Sequence, residues 1–386
     1  YCVISPGIPL DVPFVRQLKD AGIPIWSEIE LAYHYAGGTL AAITGTNGKT
    51  TTTALLGAMV QNWVGKDRGF IVGNIGIPYT QMALKMKEDA VTVAEISSFQ
   101  LESILTFHPK VSAILNITPD HLNRHHTMEC YTQVKESITK NQTAEDWCIL
   151  NYEDLRLRRF GEHAKVRILY FSSRQKLEEG MYLDGDSICL RFQGNQYEIC
   201  QTEECHLVGV CNYENIMAAS GMAYCLGIPM EIIQKTVREF RAVEHRIEFV
   251  EEIRGVRYYN DSKGTNPDAA IQGIKAMTRP TFVIGGGYDK GSEYDDWIGE
   301  FGQKVKKLVL LGQTAEKIAA CARKHGFQDI VFVSDLKEAI SYCAKEAKPG
   351  DAVLLSPACA SWGMFKNYEE RGRIFKELVR QLDYGN

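Results

Sequence analysis

The sequence predicts an α/β protein built from two domains with parallel sheets. Apolar runs of strand length alternate with amphipathic stretches of helix length through most of the 386 residues. Several of these runs end in glycine-rich or polar segments, and the last stretch of about 140 residues repeats the alternation by itself. Parallel sheets need helical crossovers, and this alternation is the pattern that such crossovers leave in a sequence.

Composition and charge narrow the class of protein. Hydrophobic residues make up 45% and charged residues 24% of the chain, so disorder is excluded as its main organisation. A net charge of -5 argues against a nucleic-acid partner, which favours a basic surface. Apolar runs stay below the roughly 18 residues of a membrane helix, so we expect no membrane partner. The 11 cysteines contain no C-x-x-C and are interpreted as free thiols of a cytoplasmic protein.

The first half of the chain predicts a central parallel sheet. A strand over residues 1–4 leads into a loop at 5–9, and a second strand at 39–43 runs into a glycine loop and a helix over 50–61. Two further strands are predicted at 90–94 and 111–115, and they are followed by Glu95 and Asn116. Ligands of open parallel sheets bind beyond the carboxyl ends of the strands, so these polar residues are candidates for a site.

Residues 151–206 have a different pattern. Short β-prone runs at 167–171, 187–190 and 196–199 are separated by turns, and they predict a small antiparallel ribbon attached to the central sheet. A helix over 212–226 follows and is closed by Gly227, with Pro229 starting the next one.

The last third of the chain predicts a doubly wound, Rossmann-like domain. Its strands are expected at 256–260, 281–284, 308–311, 330–333 and 352–355, with helices between them and a final helix over 364–383. The predicted domains are residues 1–36, 37–243 and 244–386.

The segment Thr44-Gly-Thr-Asn-Gly-Lys-Thr50 predicts a phosphate-binding loop. It follows a strand and opens a helix, where backbone N–H groups and the helix N-terminus can surround phosphate oxygens. Lys49 would neutralise the β- and γ-phosphates, and Thr50 or Thr51 would hold Mg²⁺. The match to the general pattern is imperfect, because Ile43 stands where its first glycine is expected.

Other strand ends carry polar residues that have simpler explanations when taken singly. Glu95 suits a Mg²⁺ ligand but is also typical of a solvated acid, and His121 is also typical of a structural histidine. The segments at 261–266, 285–291 and 356–361 fit ligand loops as well as helix caps or glycine turns. Lys135 taken alone is typical of a surface lysine, and Cys359 has no histidine nearby in sequence that would make it a nucleophile.

Eight motifs in one order give a specific resemblance. They are G-T-N-G-K-T, G-N-I-G, E-I-S-S-F-Q-L-E, N-I-T-P-D-H-L, H-R, D-S-K-G-T-N, G-G-G-Y-D-K-G and S-P-A-C-A-S. In this order they resemble the Mur ligase family of ATP-dependent amino-acid ligases, and the resemblance covers essentially the whole chain. The last three loops, with Gly372 after Arg371, resemble most the members that add D-glutamate.

The resemblance implies an activity and its cofactors. ATP would phosphorylate the carboxylate of UDP-N-acetylmuramoyl-L-alanine, and the amine of D-glutamate would attack the resulting acyl phosphate to form an amide. Positioned cations and Mg²⁺ carry most of the work in such phosphoryl transfers. The product belongs to peptidoglycan precursor synthesis, and the expected enzyme is a monomer that requires ATP and Mg²⁺.

The resemblance also implies roles for individual residues. The catalytic residues would be Lys49, Glu95, His121 and Lys135. ATP would contact Gly45, Thr46, Asn47, Gly48, Lys49, Thr50, Thr51, Asn212, Asn215, Arg246 and Asp261. Mg²⁺ would be held by Thr50, Glu95, His121 and Lys135, the last as a carbamate. The substrates would contact Ser5, Pro6, Gly7, Asn74, Thr265, Lys290, Ser361 and Tyr368. Adenine would contact Asn212 and Asn215, the ribose hydroxyls would contact Asp261, and the γ-phosphate would contact Arg246. The C-terminal domain would close on the bound nucleotide.

Two departures from the family pattern and three alternatives stay open. Only the end of the family's UDP-binding N-terminal domain is expected in residues 1–36, which puts uridine binding by this chain in question. Asn123 stands where the motif resembling D-H-L-D has its last Asp. The alternatives are folylpolyglutamate synthase or another Mur ligase, a P-loop nucleotide-binding module without ligase activity, and an inactive fragment that keeps nucleotide binding.

Overall fold

The computed structural model of the chain describes residues 1–74, 76–241 and 243–382. These residues form two compact units. The first unit comprises Tyr1–Cys205 and Asn212–Phe240, and the second comprises His206–Cys211 and the chain from Arg241 onward. Both units are α/β, which confirms the predicted fold class, whereas the bounds of the three predicted domains stay predictions.

The first unit begins with a small two-stranded parallel sheet. Strand β1 (Cys2–Ile4) and strand β2 (Ile25–Ser27) pair in parallel, with helix α1 (Pro13–Asp20) between them. Helix α2 (Glu28–Tyr35) follows directly, because the Ser27 hydroxyl accepts a hydrogen bond from the Glu30 amide and caps the helix.

The main sheet of the first unit has nine strands. They are β3 (Thr39–Thr44), β4 (Gly69–Gly73), β5 (Val91–Glu95), β6 (Val111–Ile114), β7 (Trp147–Asn151), β8 (Arg167–Ser172), β9 (Gly180–Asp184), β10 (Ser187–Phe192) and β11 (Asn195–Gln201), in the order β11-β10-β9-β8-β7-β6-β3-β5-β4. Strands β5 and β6 are buried along their whole length, as expected of central strands covered on both faces. The carboxyl ends of β3, β5 and β6 therefore lie side by side.

Among the residues that the structure describes, eight α-helices belong with this sheet. They are α3 (Lys49–Val64), α4 (Tyr79–Ala83), α5 (Ser98–Leu101), α6 (Leu122–His125), α7 (Met128–Glu136), α8 (Leu155–His163), α9 (Val210–Cys225) and α10 (Met230–Glu239). None of the helices in the described ranges is long and apolar enough to cross a bilayer.

The ribbon predicted for residues 151–206 is only partly antiparallel. Strands β9, β10 and β11 pair antiparallel through short turns, as expected. The prediction is wrong for β8, which pairs in parallel with both β7 and β9. Helix α8 is the reason, because a helical crossover between β7 and β8 returns the chain in the same direction.

The second unit has a six-stranded sheet and five helices. In chain order they are β12 (Glu248–Ile253), β13 (Val256–Asn260), α11 (Pro267–Ala276), β14 (Thr281–Gly285), α12 (Asp295–Gly299), β15 (Val305–Leu310), α13 (Ala315–Lys324), β16 (Ile330–Phe332), α14 (Leu336–Glu346), β17 (Ala352–Leu355) and α15 (Tyr368–Gln381). The strand order is β12-β13-β17-β14-β15-β16, and every pairing is parallel except β12 with β13.

Helices cover both faces of this second sheet, as the doubly wound prediction requires. One core cluster packs Val283 of β14 with residues of α11, α12 and α13, and another packs Ile284 with residues of α14 and α15. Val283 and Ile284 are neighbours in one strand, and they thus pack into the cores on opposite faces of the sheet. The final helix starts later than predicted, at Tyr368 rather than 364, because the Asn367 side chain caps it by accepting from the Glu370 amide at 2.8 Å.

Candidate active site

The loop after β3 has the backbone shape of an anion-binding turn. Gly48 has a φ of +85°, and a Cβ placed on it would lie 2.2 Å from Oδ1 of Asn215. Only glycine fits this close approach and this φ. Helix α3 begins at the next residue, Lys49, and its first-turn amides are available to phosphate oxygens.

Asn116 holds this loop in place from the end of β6. Its Oδ1 accepts from the Asn47 amide at 2.8 Å, and its Nδ2 donates to the Asn47 carbonyl at 3.2 Å. The Asn116 carbonyl also accepts from the amide of Thr46 at 2.9 Å. Sequence reasoning placed Asn116 at a strand end without a role, and the structure makes it a positioning residue for the loop.

Two lysines share one carbonyl of the loop. Nζ of Lys49 donates to the carbonyls of Gly45 and Thr46 at 2.9 and 2.8 Å. Nζ of Lys135, which lies on α7, donates to the same Gly45 carbonyl at 2.8 Å. The structure thus brings together two residues that are 86 positions apart in the sequence, and it places both amines against the predicted phosphate loop.

Lys135 is not a surface lysine, so the interpretation based on the residue alone is wrong. Only 1% of it is exposed, and its Nζ lies 4.7 Å from the centre of the Tyr131 ring. Burial, reinforced by the charge of Lys49, holds the pKa of Lys135 well below its usual 10.5. The charge of Asp120 opposes this shift only in part, so the neutral form of the amine is favoured.

Glu95 lies at the carboxyl end of β5, next to β3. It is 2% exposed, and its Oε1 accepts from Nδ2 of Asn74 at 2.9 Å. Its other oxygen, Oε2, is buried and has no hydrogen-bond partner among the residues that the structure describes. A buried carboxylate oxygen without a partner is costly, and a hard cation such as Mg²⁺ would satisfy it. Asn74 thus contacts this carboxylate, and its predicted contact with substrate stays a prediction.

The two histidines near the end of β6 lie in different environments. His121 is exposed, with a φ of 53°, and its Nε2 lies 3.4 Å from a carboxylate oxygen of Asp120. His125 is 4% exposed, and its Nε2 lies 3.0 Å from the hydroxyl of Ser98. Burial lowers the pKa of His125, although the Glu102 carboxylate partly opposes this. Sequence reasoning chose His121 and missed His125, whose packing against the E-I-S-S-F-Q-L-E motif is visible only in three dimensions.

Helix α9 places two asparagines against the start of α3. Asn212 and Asn215 are 5% and 8% exposed, one helical turn apart, and Nδ2 of Asn215 donates to Oδ1 of Asn212 at 3.2 Å. Oδ1 of Asn215 accepts from the Thr52 hydroxyl at 3.3 Å. These two residues, predicted to contact adenine, therefore lie beside the phosphate loop.

The loop after β1 meets the segment that carries His121. Arg124 forms a paired contact with Glu102, at 3.0 Å from Nε and 2.6 Å from Nη2, and Nη2 also donates to the carbonyl of Ile8. The predicted substrate residues Ser5, Pro6 and Gly7 directly precede Ile8, and Ser5 and Gly7 are exposed. Ile75 of the G-N-I-G motif and the side chain of Asn123 lie outside what the structure describes.

Asp261 is the most deeply enclosed carboxylate among the predicted site residues of the second unit. It is 4% exposed, and its two oxygens accept from the Ser356 hydroxyl at 2.7 Å and the Ile247 amide at 3.3 Å. Burial raises the pKa of Asp261 from 3.8 to about 7, although the Ser356 hydrogen bond and the charge of Arg246 oppose this. The D-S-K-G-T-N and S-P-A-C-A-S loops therefore meet through this side chain.

Arg371 links the same two loops and was not predicted as a site residue. Arg371 is 3% exposed. Its guanidinium donates to the hydroxyl of Ser262 at 3.0 Å and to the carbonyl of Ser262 at 2.8 Å. Its Nη1 and Nη2 also donate to the carbonyl of Cys359, at 3.2 and 3.3 Å. Burial lowers the pKa of Arg371 to about 10. The signal for it was the R-G pair in the final helix, which sequence reasoning used only as a resemblance.

The H-R pair lies before β12. His245 is buried, and its Nδ1 lies 3.0 Å from Nδ2 of Asn260. Burial lowers the pKa of His245. A Cβ on Gly372 would lie 2.2 Å from the same Nδ1, so this helix position is restricted to glycine. Within the described part of the chain, the buried Nε of Arg246 has no hydrogen-bond partner, which suits an anionic ligand.

Two other loops of the second unit lie side by side. The amide of Tyr288 donates to the carbonyl of Ala360 at 3.0 Å, and Nζ of exposed Lys290 lies 5.8 Å from the Trp362 ring centre. Ser361 is buried and lines a small cavity with Arg371.

The remaining predicted substrate residues lie on neighbouring turns. Thr265 is half-buried, in the loop before α11, and its amide donates to the Lys263 carbonyl at 2.8 Å. Tyr368 was expected one turn inside the final helix but is its first residue, and its carbonyl accepts from the Ser262 hydroxyl at 2.7 Å.

A glycine loop between a parallel strand and a helix, with buried Lys135 of α7 against it and buried Glu95 at the end of the adjoining strand, is typical of an enzyme that uses a nucleotide. Comparison with known families agrees. The Mur ligase middle domain matches residues 43–223, and the Mur ligase glutamate ligase domain matches residues 245–359. The chain belongs to the Mur ligase family, which confirms the resemblance inferred from its motifs.

Relatives of high identity carry the name of one particular ligase within this family. A UDP-N-acetylmuramoylalanine–D-glutamate ligase of Lachnoclostridium phytofermentans is 58% identical over 380 residues, 98% of this chain and 83% of that protein. The protein of the same name from Lachnospira eligens is 56% identical, over 98% and 84% of the two chains.

Solved structures share the fold at lower identity. The UDP-N-acetylmuramate–alanine ligase of Thermotoga maritima has a TM-score of 0.66 at 18% identity, covering 98% of this chain and 85% of that one. A MurF ligase of Thermotoga maritima in complex with ADP has a TM-score of 0.64 at 17% identity, covering 98% and 95%.

Proposed function

We propose that this chain is an ATP-dependent ligase that joins D-glutamate to UDP-N-acetylmuramoyl-L-alanine in peptidoglycan precursor synthesis. The observation that carries the proposal is the 58% identity, over nearly the whole chain, to a ligase named for this reaction. The phosphate loop supports it independently, because Lys49 lies against the Gly45 and Thr46 carbonyls and supplies positive charge where a phosphoryl group would transfer.

The chemistry has two steps. A carboxylate oxygen of the alanine attacks the γ-phosphorus of ATP, ADP leaves, and an acyl phosphate forms. The amine of D-glutamate then attacks the acyl carbon, and the tetrahedral intermediate expels phosphate and loses a proton to leave the amide. Negatively charged groups meet in both steps, so the chain must supply fixed positive charge and exclude water.

We assign the triphosphate and its Mg²⁺ to the end of β3 and its neighbours. The backbone amides of residues 45–51 would contact the phosphates, and Lys49 would move from the loop carbonyls to the phosphate oxygens. Glu95 and Thr50 would hold Mg²⁺, because Oε2 of Glu95 is buried without a partner and both residues flank the loop. Mg²⁺ supplies charge neutralisation on the phosphates when it is bound.

Lys135 is proposed to react with carbon dioxide. Its neutral amine attacks CO₂, forms an N–C bond and releases one proton, and the lysine becomes a carbamate anion. The low pKa caused by burial favours the neutral amine that this reaction needs. With His121, the carbamate would provide oxygen and nitrogen ligands for a second Mg²⁺.

The remaining nucleotide contacts are proposed from the resemblance to the family. Asn212 and Asn215 would contact adenine, since they lie beside the loop and carry amide groups suited to its ring edge. Asp261 would accept from the ribose hydroxyls, and Arg246, whose Nε has no partner, would contact phosphate.

The two carboxylates of D-glutamate need donors at two separate points. We assign the α-carboxylate to Lys290 and Thr265, and the side-chain carboxylate to Ser361 and the backbone near Tyr368. The Tyr288 amide donates to the Ala360 carbonyl at 3.0 Å, and this contact between the two loop backbones supports a shared site for these groups. L-glutamate would direct its amine away from the acyl phosphate, and D-aspartate would reach only one of the two points.

Amine-dependent release of ADP and phosphate tests the function. With ATP, Mg²⁺ and the UDP-sugar, D-glutamate should give the amide, whereas L-glutamate and D-aspartate should fall behind by factors that can reach about 10⁴. Lys49→Ala should abolish turnover. Equal use of D- and L-glutamate would show the pocket to be misassigned. ATP cleavage without any amine would indicate a nucleotide-binding module, and use of another amino acid or a folate would indicate another member of the family.

A further inference from the structure

Cys200 and Cys205 form a close thiol pair outside the proposed active site. Their sulfur atoms lie 3.1 Å apart, although the two residues belong to different local structures. Cys200 is near the end of β11, at one edge of the nine-stranded sheet, and Cys205 follows a single 3₁₀ turn over Thr202–Glu204. The function proposed above uses neither residue.

The distance between the two sulfurs is that of a reactive pair. A disulfide bond is about 2.05 Å long, so the two sulfurs need to approach each other by only about 1 Å. The turn between them closes a short loop, and its hydrogen bonds hold it in place: the Cys205 amide donates to the Thr202 carbonyl at 3.2 Å, and the Gln201 amide donates to the Glu204 carboxylate at 2.9 Å. The backbone thus presents the two side chains to each other.

The two thiols are not equivalent. Cys200 is fully buried, whereas 7% of Cys205 is exposed, so Cys205 is the one of the two that lies nearer to solvent. The hydrogen bond between the thiols lowers the pKa of Cys205 and raises that of Cys200. Burial and the Glu204 carboxylate oppose the lowering of the Cys205 pKa, and the charge of Arg238, which contacts Glu204 at 3.1 Å, partly offsets them. Cys205 is therefore the sulfur that reacts first, since the thiolate is the nucleophile.

We propose that Cys200 and Cys205 are a peroxide-sensitive pair that forms a reversible intramolecular disulfide. The Cys205 thiolate attacks one oxygen of hydrogen peroxide; the O–O bond breaks, Cys205 becomes a sulfenic acid, and the departing hydroxide takes up a proton as water. The Cys200 thiol then attacks the sulfenic sulfur, an S–S bond forms, and the hydroxyl leaves with the Cys200 proton as a second water. Two thiols and one peroxide give one disulfide and two waters.

Cys200 has a protective role in this scheme. A sulfenic acid without a neighbouring thiol is oxidised further to sulfinic acid, which ordinary thiols do not reduce. A disulfide with Cys200 stops this sequence and is restored by a small dithiol. The pair lies where the first segment of the first unit ends, since residues 206–211 belong to the second unit. Oxidation would therefore join the edge strand covalently to the chain that leaves it.

Peptide mapping of the full chain after peroxide treatment tests the proposal. Protease cleavage after Glu203 and Glu204 separates the two cysteines, so a disulfide joins two peptides that dithiothreitol releases. We expect this linked pair as the main oxidation product, before the exposed Cys130 is modified to the same extent. Cys130→Ser is the matched control, and it should leave the linkage unchanged. Fragment spectra distinguish Cys205 from Cys211, which lies on the same peptide.

Two further variants separate the roles of the two sulfurs. Cys200→Ser should give a sulfenic acid at Cys205 that a 1,3-diketone probe labels, followed by sulfinic acid that dithiothreitol does not reverse. Cys205→Ser should leave Cys200 reduced, because that thiol is fully buried. A thermal melt checks that each serine variant folds. The proposal is overturned if peroxide oxidises Cys130 while Cys200 and Cys205 still take up iodoacetamide after denaturation, or if Cys200 is labelled as readily as Cys205.

Discussion

The loops at the strand ends of the first unit differ from those of the second in how their buried charges are satisfied. In the first unit, Lys135 has a carbonyl and an aromatic ring as neighbours, and Oε2 of Glu95 has no hydrogen-bond partner. In the second unit, Arg371 makes four hydrogen bonds to two loops, and Asp261 accepts from two donors. Arg246 is the exception there, since its Nε has no partner.

The difference indicates two tasks. Buried charges that protein groups do not neutralise are costly, and they are retained where a ligand supplies the missing partner. Buried charges that bridge loops hold those loops at fixed positions, as the recognition of a small substrate with two carboxylates requires. The first arrangement suits phosphoryl transfer, and the second suits the positioning of an amino acid.

The largest effect is expected at Lys135. Lys135→Ala should lower ligase turnover by about 10³-fold or more, because it removes a charged group at the transferring phosphate. A short carboxylic acid should restore part of the activity if the lysine acts as a carbamate. Labelled ¹³CO₂ should give a carbamate carbon signal in the wild type that the variant lacks.

Lys140→Ala is the matched control for this prediction. Its exposed amine also donates to a backbone carbonyl, that of Ile104 at 3.2 Å, but it lies beyond the end of α7. Its turnover should stay close to that of the wild type. A Lys135→Ala enzyme without rescue, together with a wild type that shows no carbamate signal, would refute the modification.

Asp261 is expected to make stability depend on pH. Its folded pKa of about 7 lies above the usual 3.8, so the folded chain keeps this proton while the unfolded chain loses it. The contribution of this proton to the free energy of unfolding is complete below about pH 3.8 and is lost as the pH rises toward 7. Asp261→Asn should therefore match the wild type near pH 4 and exceed it at pH 8, by up to about 4 kcal/mol. Urea unfolding of both proteins across this range measures the difference, and parallel curves would contradict the assignment.

Replacement of Arg371 should lower the efficiency with which D-glutamate is used more than it weakens the apparent affinity for ATP. Arg371→Lys keeps the charge but cannot make the four hydrogen bonds, so the two loops should lose their relative position. We expect kcat/KM for D-glutamate to fall by roughly 10- to 100-fold, with a smaller change in KM for ATP. The exposed Arg373, two residues along α15, provides the control Arg373→Lys. Equal losses for both substrates would indicate a general structural role instead.

The smallest expected effect is a packing change at Gly372. Gly372→Ala places a methyl group 2.2 Å from Nδ1 of His245, so the ring or the helix must shift. Overpacking of this kind costs about 1–3 kcal/mol. Gly299→Ala is the control, since nothing lies within 4 Å of its added methyl group. Thermal melts compare the two variants, and equal melting temperatures would show that the His245 side chain can move aside.

Local patterns in the sequence were enough to predict most of the elements. Strands β13 and β17 have the predicted bounds, because a buried parallel strand is a short apolar run that polar or glycine residues end on both sides. The phosphate loop was predictable for the same reason: its glycines and Lys49 are contiguous, and the strand and helix that flank it follow from periodicity. The order of the motifs then sufficed to indicate the family.

Tertiary structure decided what depends on contacts between distant segments. The burial of Lys135 comes from packing against a loop 90 positions away, and nothing in its own helix predicts that. The direction of β8 depends on which strands flank it. The role of Arg371 depends on two loops, about 110 and 12 residues away in the sequence, that both contact its guanidinium. Sequence patterns record the local backbone preference, whereas burial and charge pairing are properties of the folded neighbourhood.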